Sequence, residues 1–320
     1  MVKVSVIIPA YNGDRYIGEA VDSILSQTYS DYEIIVVDDG STDSTRQVIE
    51  QYGSKIQYLS QTNQGVAASR NLGLSKAQGE YIAFLDQDDV FLTHKLASQV
   101  ALLDQNSSLG IANSGWQIVN QQGDVNAAVK PWKEIPELNL TNLIVWKPVF
   151  LGAMLFRRSW LEHTEGFDTT LEQTPDVDLV LRLAAMGATA AWVKQVTVKY
   201  RQHEANASKN TLLQAQELDQ ILERFFSQSN LSPEIKTLES ESRYQSLIWS
   251  AWRLQQTGYL TKMSDYLYKS WFYSQKYPTE IILNWIKSFK TYSTEYGIDF
   301  NVSSLISSLE WQKLIKKCLV

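Results

Sequence analysis

Within the first 85 residues, short β-branched runs alternate with segments of helical period, and this constrains the fold more than any other feature of the chain. Val4-Ser5-Val6-Ile7-Ile8, Ile34-Ile35-Val36-Val37, Ile56 to Leu59 and Tyr81-Ile82-Ala83-Phe84-Leu85 read as strands. Their continuous apolar character is that of strands covered on both faces. Between them, Ile17, Ala20, Val21, Ile24 and Leu25 recur at helical spacing, Val48 and Ile49 mark a second helix, and Val66 to Ala77 a third. The order βαβαβαβ predicts an α/β fold, with a mostly parallel sheet, right-handed crossovers and flanking helices.

Three of these strands run into polar clusters: Pro9-Ala10-Tyr11-Asn12, Asp38-Asp39-Gly40-Ser41 and Asp86-Gln87-Asp88-Asp89. Ligands of open α/β sheets sit outside the carboxyl ends of the strands. The three clusters are therefore expected to line one rim and form a site.

Further along, Ile111 to Val119 reads as a strand and Asn120 to Asp124 as a turn. Phe150 to Phe156, Ala190 to Val193 and Val196 to Tyr200 read as further strands, and Asp176 to Met186 as a helix ended by Gly187. From residue 211 the pattern is helical throughout, with stripes such as Tyr244, Leu247, Ile248, Ala251 and Trp252. The expected division is therefore 1–210 and 211–320, the second an all-α domain. That tail carries half the chain's aromatic residues. The stripes read first as helical core; the alternatives are a homo-oligomer interface or a peripheral membrane contact. Trp252 to Pro278 has the look of a single tetratricopeptide unit, with no array around it.

Composition narrows the function. The 320 residues are 44% hydrophobic and 20% charged, enough apolar matter for a sizeable core. The net charge of −6 disfavours nucleic acid as a partner, and the acidic excess lies in the first 210 residues. One cysteine, Cys318, excludes an internal disulfide and a cysteine-rich zinc site. The apolar run from Val4 to Ala10 is too short for a secretory signal, and no run is long enough to span a membrane, so a cytoplasmic location is expected.

Each polar cluster has a chemical reading and a bland one. Asp86 and Asp88, two residues apart past a buried strand, suit a hard cation shared with phosphate, or simply a polar turn. A carboxylate of Asp38-Asp39 suits the imide N–H of uracil; otherwise Asp39, Ser41 and Thr42 cap the next helix, for which Asp43 is also placed. Tyr11, after Pro9, offers a ring to stack on a base, or packs over the sheet end. Arg70 has a planar fork for phosphate or a base edge, or forms a surface ion pair.

The motifs in series resemble the inverting GT-A glycosyltransferases of family 2. They are Val4-x-Val6-Ile7-Ile8-Pro9-x-Tyr11-Asn12, Ser26-Gln27-Thr28-Tyr29, Val36-Val37-Asp38-Asp39-Gly40-Ser41-Thr42-Asp43, Asn63-x-Gly65, Ser69-Arg70-Asn71-x-Gly73, Gly79-Glu80-Tyr81-Ile82 and Phe84-Leu85-Asp86-Gln87-Asp88-Asp89. Gly166-Phe167-Asp168, Asp176-x-Asp178-Leu179-x-Leu181-Arg182-Leu183 and Tyr200-Arg201-x-His203 continue the series, which stops near residue 207. The resemblance implies a Rossmann-like nucleotide-diphospho-sugar transferase fold. It implies a metal-dependent transfer of sugar from a UDP-sugar to a hydroxyl of a saccharide, lipid-linked or protein acceptor, with Mn2+ or Mg2+ as cofactor. By the same resemblance Asp39 holds uracil, Tyr11 lies at the base pocket, and Pro9, Arg70, Asp86 and Gln87 belong to the nucleotide site. Asp88 is the metal ligand, His203 lies beside diphosphate and metal, and Asp176 is the general base. The family often has an acidic residue before that base; here it is Pro175.

The chemistry fits those roles. A cation offsets charge growing on a departing diphosphate, and a carboxylate on the opposite face takes the acceptor's proton. At a helix N-terminus Asp176 is expected to favour its charged form. A nicotinamide enzyme would need Gly-x-Gly-x-x-Gly where this chain has Pro9-Ala10-Tyr11-Asn12-Gly13-Asp14. The alternative from another class is a non-catalytic module that binds a nucleotide-sugar or acts as a scaffold. The acceptor is expected to touch the stretch from Asn126 to Gly152.

Overall fold

The computed structural model describes residues 2–319. The chain forms two compact units, one drawn from Met1–Leu140 and Pro148–His203, the other from Thr141–Lys147 and Glu204–Val320.

The first unit contains β1 (Val4–Ala10), α1 (Ile17–Leu25), β2 (Tyr32–Asp38), α2 (Thr45–Glu50), β3 (Gln57–Ser60), α3 (Val66–Lys76), β4 (Tyr81–Phe84), β5 (Val90–Phe91), α4 (Lys95–Gln105), β6 (Leu109–Val119) and β7 (Val125–Val129). After α5 (Leu140–Trp146), which falls almost wholly in the second unit, come β8 (Met154–Arg157), α6 (Arg158–Leu161), α7 (Pro175–Ala185) and β9 (Thr189–Arg201). The strand order is β3-β2-β1-β4-β8-β6-β9-β5, with β7 on β6. β1 pairs in parallel with both β2 and β4, whereas β8 runs antiparallel between β4 and β6. The sheet is thus mixed.

Every position of β1 is buried, as its unbroken apolar run requires of a strand covered on both faces. Helix α3 lies against it at Gly73, where a Cβ would come 2.4 Å from Ile7 Cγ2. The carboxyl ends of β1 and β2 are level, Ala10 opposite Asp38. That register puts the first two polar clusters side by side.

Three local expectations change. Residues 151–153 form a 3₁₀ turn, and the strand begins only at Met154. The carbonyl of Ala153 accepts from the buried side chains of Gln99 and Ser114, so side chains replace a ladder there. The two short strands expected after residue 189 are one strand, β9, whose irregular middle is absorbed by register shifts against Asn113 to Trp116. Neither Ser41 nor Thr42 caps α2: that helix begins at Thr45, and Asp43 Oδ1 accepts from Thr45 N–H at 2.9 Å.

The second unit is helical: α8 (Thr211–Phe226), α9 (Pro233–Thr237), α10 (Glu239–Gln256), α11 (Leu260–Trp271), α12 (Pro278–Glu295), α13 (Val302–Ser307) and α14 (Leu309–Leu319). Asn210, Ser232 and Asn301 accept from backbone N–H groups at the starts of α8, α9 and α13. The aromatic stripes are core: Tyr244, Trp252, Trp285, Phe289 and Trp311 pack in one cluster. Two of the indoles satisfy their polar ends within the core, Trp252 Nε1–H donating to Ser293 Oγ at 2.9 Å and Trp285 Nε1–H to Ser270 Oγ at 3.0 Å. Among the described residues, no helix is long and apolar enough to cross a membrane.

Candidate active site

The three polar clusters are tied together at the sheet rim. Tyr11 N–H donates to Gln87 Oε1 at 2.9 Å, and Gln87 Nε2–H returns a bond to Tyr11 O at 3.0 Å. This joins the end of β1 to the loop after β4. Asn12, in the left-handed region at φ 46°, accepts from Thr42 N–H at 2.8 Å while its own N–H donates to Ser41 Oγ at 3.0 Å. This joins β1 to the loop after β2. Pro9 is buried within β1, and Tyr11 is 46% exposed.

Asp38 and Asp39 are both buried, and their bonds separate them. Asp38 accepts from Ser41 N–H and Tyr58 O–H, which secures the loop. Asp39 accepts from Gln61 Nε2–H at 2.6 Å, Gln64 N–H at 2.9 Å and Gly65 N–H at 2.8 Å. It therefore anchors the entry to α3 and keeps part of its acceptor capacity.

Arg70, on α3, is 6% exposed. Its Nη2–H donates to Asp86 Oδ1 at 2.6 Å, its guanidinium stands 5.5 Å from the Phe167 ring centre, and its buried Nε–H has no protein partner. The Phe167 support is built by Asn71, whose side chain exchanges two 2.8 Å bonds with the Phe167 backbone. Gly166 makes this approach, at φ 77° and with room for no Cβ, which would fall 2.4 Å from Asn71 Oδ1. Arg182 closes the other side, bonding Gly166 O and Asp178.

Beyond Asp86, Oδ2 of Asp88 lies 2.8 Å from Nε2 of His203. Burial raises the Asp88 carboxyl, the neighbouring Asp86 raises it further, and His203 opposes both. Asp89, fully enclosed, is held well above the usual carboxylate range by burial and by its two acidic neighbours. Sequence reasoning did not single out Arg201, although it stands in the Tyr200-Arg201-x-His203 motif. Its N–H donates to Asp89 Oδ1, its Nε–H to the Asp88 carbonyl at 3.0 Å, and its Nη2–H to Glu19. Tyr16 was also missed; nothing in its sequence neighbourhood marks it. Its ring stacks on His203 with centroids 5.2 Å apart and lies 4.9 Å from the Arg201 guanidinium.

Asp176 sits in the first turn of α7, after Pro175. Its carboxyl is pushed up to about 6, because burial outweighs the Arg70 charge and the backbone bond from Val177 N–H that favour ionisation, and Asp86 adds to the rise. The expectation that the helix terminus would favour the charged form is thus reversed: the terminus acts, but desolvation is larger. Arg70 and Asp86 lie within electrostatic reach of Asp176, so these three residues share one neighbourhood. Asp88 and His203 form the adjoining pair, and Tyr11 and Gln87 border it through the loop. Asp39 stands apart from all of these in its bonding.

The sequence has relatives that bear on this arrangement. The family model described as glycosyl transferase family 2 matches residues 5–164. An uncharacterized glycosyltransferase of Rickettsia prowazekii is 32% identical over 80% of this chain and 81% of its own length. The putative glycosyltransferase EpsE of Bacillus subtilis is 32% identical over 62% of this chain and 73% of its own. The chain spans only 35% of the length of the Rickettsia conorii relative, which is 34% identical over 64% of this chain. Among solved structures, S. aureus TarS 1–349 shares the fold, with a TM-score of 0.65 and 19% identity over 92% of this chain and 89% of that one. The mannosyltransferase PcManGT of Pyrobaculum calidifontis, solved with GDP-Man and Mn2+, has a TM-score of 0.61 and 20% identity over 99% and 86% of the two chains. With the rim residues and the mixed sheet, these similarities establish that the chain belongs to glycosyltransferase family 2 and is a glycosyltransferase of GT-A fold.

Proposed function

We propose that the enzyme moves a sugar from a UDP-sugar to an acceptor hydroxyl with inversion at the anomeric carbon, aided by a divalent cation. The observation that carries this reading is the meeting of the Asp88–His203 pair with the Arg70–Asp86 pair beside Asp176.

The donor atoms fit a magnesium or manganese ion. Asp88 is a carboxylate that burial and Asp86 make costly to ionise, the electrostatic condition a cation relieves. His203 Nε2 is within 2.8 Å of it. Two such ligands leave most of a six-coordinate shell to diphosphate oxygens and water, the usual arrangement for these ions. When bound, the cation would offset charge on the leaving diphosphate.

The chain's own groups do the rest. Tyr11 stacks on the base, and the unused acceptor capacity of Asp39 takes the uracil imide N–H. The Arg70 Nε–H, buried without a protein partner, is a donor suited to a donor-substrate oxygen. In the displacement the acceptor oxygen forms its bond to the anomeric carbon as the bond to the diphosphate oxygen breaks. The acceptor proton passes to the Asp176 carboxylate. A value near 6 leaves that group ionised yet basic enough at neutral pH. Asp178 is tied to Arg182, which leaves Asp176 as the base; Pro175 stands before it, in the first turn of α7, and bears on the preceding position only. TarS has been solved with UDP-GlcNAc and PcManGT with GDP-Man, so the identity of the nucleobase is part of the test.

The experiment is UDP and GDP titration with and without Mn2+, followed by nucleotide release from the matching sugar donors. Metal-dependent UDP binding with UDP release is expected. Binding of GDP alone would overturn the donor, and binding without release for any acceptor would leave a scaffold rather than an enzyme of this mechanism.

A further inference from the structure

The mechanism above leaves unused a buried polar network among α4, β6 and β9, strands that lie across β4 in the strand order from β1 and β2. Lys95, Gln99, Asn113, Ser114 and Thr197 are all fully enclosed. Lys95 Nζ donates to Gln99 Oε1 at 2.6 Å, and Gln99 Nε2–H to the carbonyls of Ala112 at 3.0 Å and Ala153 at 2.8 Å. Ser114 Oγ–H also donates to Ala153 O, and Asn113 Nδ2–H to Pro148 O at 2.9 Å. Burying so many polar groups is costly, and full satisfaction gives rigidity in return. What is held rigid is the segment 148–153, fixed at both ends.

Phe150 is carried by that segment. Its ring lies 5.2 Å from Trp116 and 5.3 Å from Tyr200, centroid to centroid. Phe150 and Tyr200 are half-buried, whereas Trp116, which packs against Phe150, is buried. Gly152 makes room for the ring: a Cβ there would stand 3.1 Å from Phe150 Cζ.

The position of this aromatic set follows from the strand register. β8 runs antiparallel to β4 with Leu155 opposite Ala83, so Gly152 and Ala153 emerge beside the strand end that leads to Asp86. Tyr200 directly precedes Arg201, which bonds the Asp88 carbonyl. Tyr11 and Asp39 lie at the ends of β1 and β2, on the opposite side of β4 in the strand order. The aromatic set therefore borders the reacting centre on the side away from the nucleotide.

From this we infer that Phe150 and Tyr200, whose rings meet edge to face at 72°, form an angled aromatic platform for a pyranose ring of the acceptor, making the acceptor a saccharide or the sugar end of a glycoconjugate. An aromatic face is electron-rich and apolar, and it matches the C–H face of a pyranose. The rings take no part in the chemical step; they orient the ring whose hydroxyl attacks. The inference rests on the transferase reading and deepens it.

The test is saturation-transfer difference NMR of the full chain with UDP and Mg2+, using cellotetraose, chitotetraose and maltotetraose, with decyl phosphate as an apolar probe. At least one oligosaccharide is expected to receive saturation at its ring C–H protons. Phe150→Leu, which keeps apolar volume, and Gly152→Ala, which displaces the ring, should each weaken that oligosaccharide about ten-fold. Thermal melts show whether each variant is folded. Failure of all three sugars to bind, binding that neither folded variant alters, or binding of decyl phosphate alone would overturn the platform. UDP titration of the same samples separates the two readings: UDP bound without a sugar defeats the platform only, whereas no UDP binding defeats the donor reading beneath it.

Discussion

His203 Nε2 lies 2.8 Å from Asp88 Oδ2, across 115 residues of sequence. The ring is kept there by Tyr16, stacked on it, and by Arg201, which bonds the Asp88 carbonyl from two residues upstream. If this pair is the cation site, His203→Ala should weaken UDP binding in the presence of Mn2+ by about 10- to 100-fold. UDP binding in EDTA should change little. Calorimetric titration under both conditions checks this; equal losses with and without metal would assign the residue to packing instead.

Asp176 gives a pH dependence with a definite sign. As a base it must be ionised, so kcat/KM should fall as pH drops through about 6. Its effect on stability runs the other way. The folded carboxyl stands above the usual carboxylate range, so the native state binds more protons than the unfolded chain between roughly pH 4 and 6. The resulting stability penalty is complete above pH 6 and absent below about pH 4. Asp176→Asn should therefore raise Tm by a few degrees at pH 8 and leave it unchanged near pH 4. Melting curves at the two pH values are the check.

The support under Arg70 is sensitive to one methyl group. Gly166→Ala needs a left-handed alanine and a Cβ 2.4 Å from Asn71 Oδ1. The expected cost is about 1–3 kcal/mol of stability, with a loss of donor affinity as Phe167 and Arg70 move. Denaturant unfolding and nucleotide titration read the two effects, and an unperturbed variant would show that this loop does not position Arg70.

Tyr11 is exposed and its hydrogen bonds to Gln87 are made by its backbone. Tyr11→Ala should cost about 1–2 kcal/mol of UDP affinity if the ring stacks on the base, and Tyr11→Phe almost nothing. Equal losses in the two variants would mean that the hydroxyl, not the face, is used.

The extent to which the sequence revealed this arrangement varies along the chain. β1, β2 and β4 were legible because a strand covered on both faces leaves an unbroken apolar run, as in Val4 to Ile8. In sequence β9 reads as two strands because Lys194-Gln195 interrupts its apolar pattern, whereas in the fold the register shifts against β6 keep it continuous. The acids of the rim were visible as clusters at strand ends, but the contact of His203 with Asp88 was not, since local spacing says nothing of residues 115 positions apart. The raised carboxyl of Asp176 was not legible: a helix-terminal aspartate reads as charged, and its burial depends on what the rest of the fold packs around it. Phe150 falls in the stretch expected to meet the acceptor, but its contacts with Trp116 and Tyr200 were not legible, because the segment that carries it is placed by buried side chains of α4 and β6.

The most direct measurement is release of UDP from a UDP-sugar, with Mn2+ and a competent acceptor, by the wild-type chain and by Asp176→Asn at pH 7.5. Nucleotide binding retained and turnover reduced at least a hundred-fold is the expected result. Turnover by the asparagine variant within a few-fold of wild type would contradict a proton-accepting Asp176 and with it the proposed mechanism.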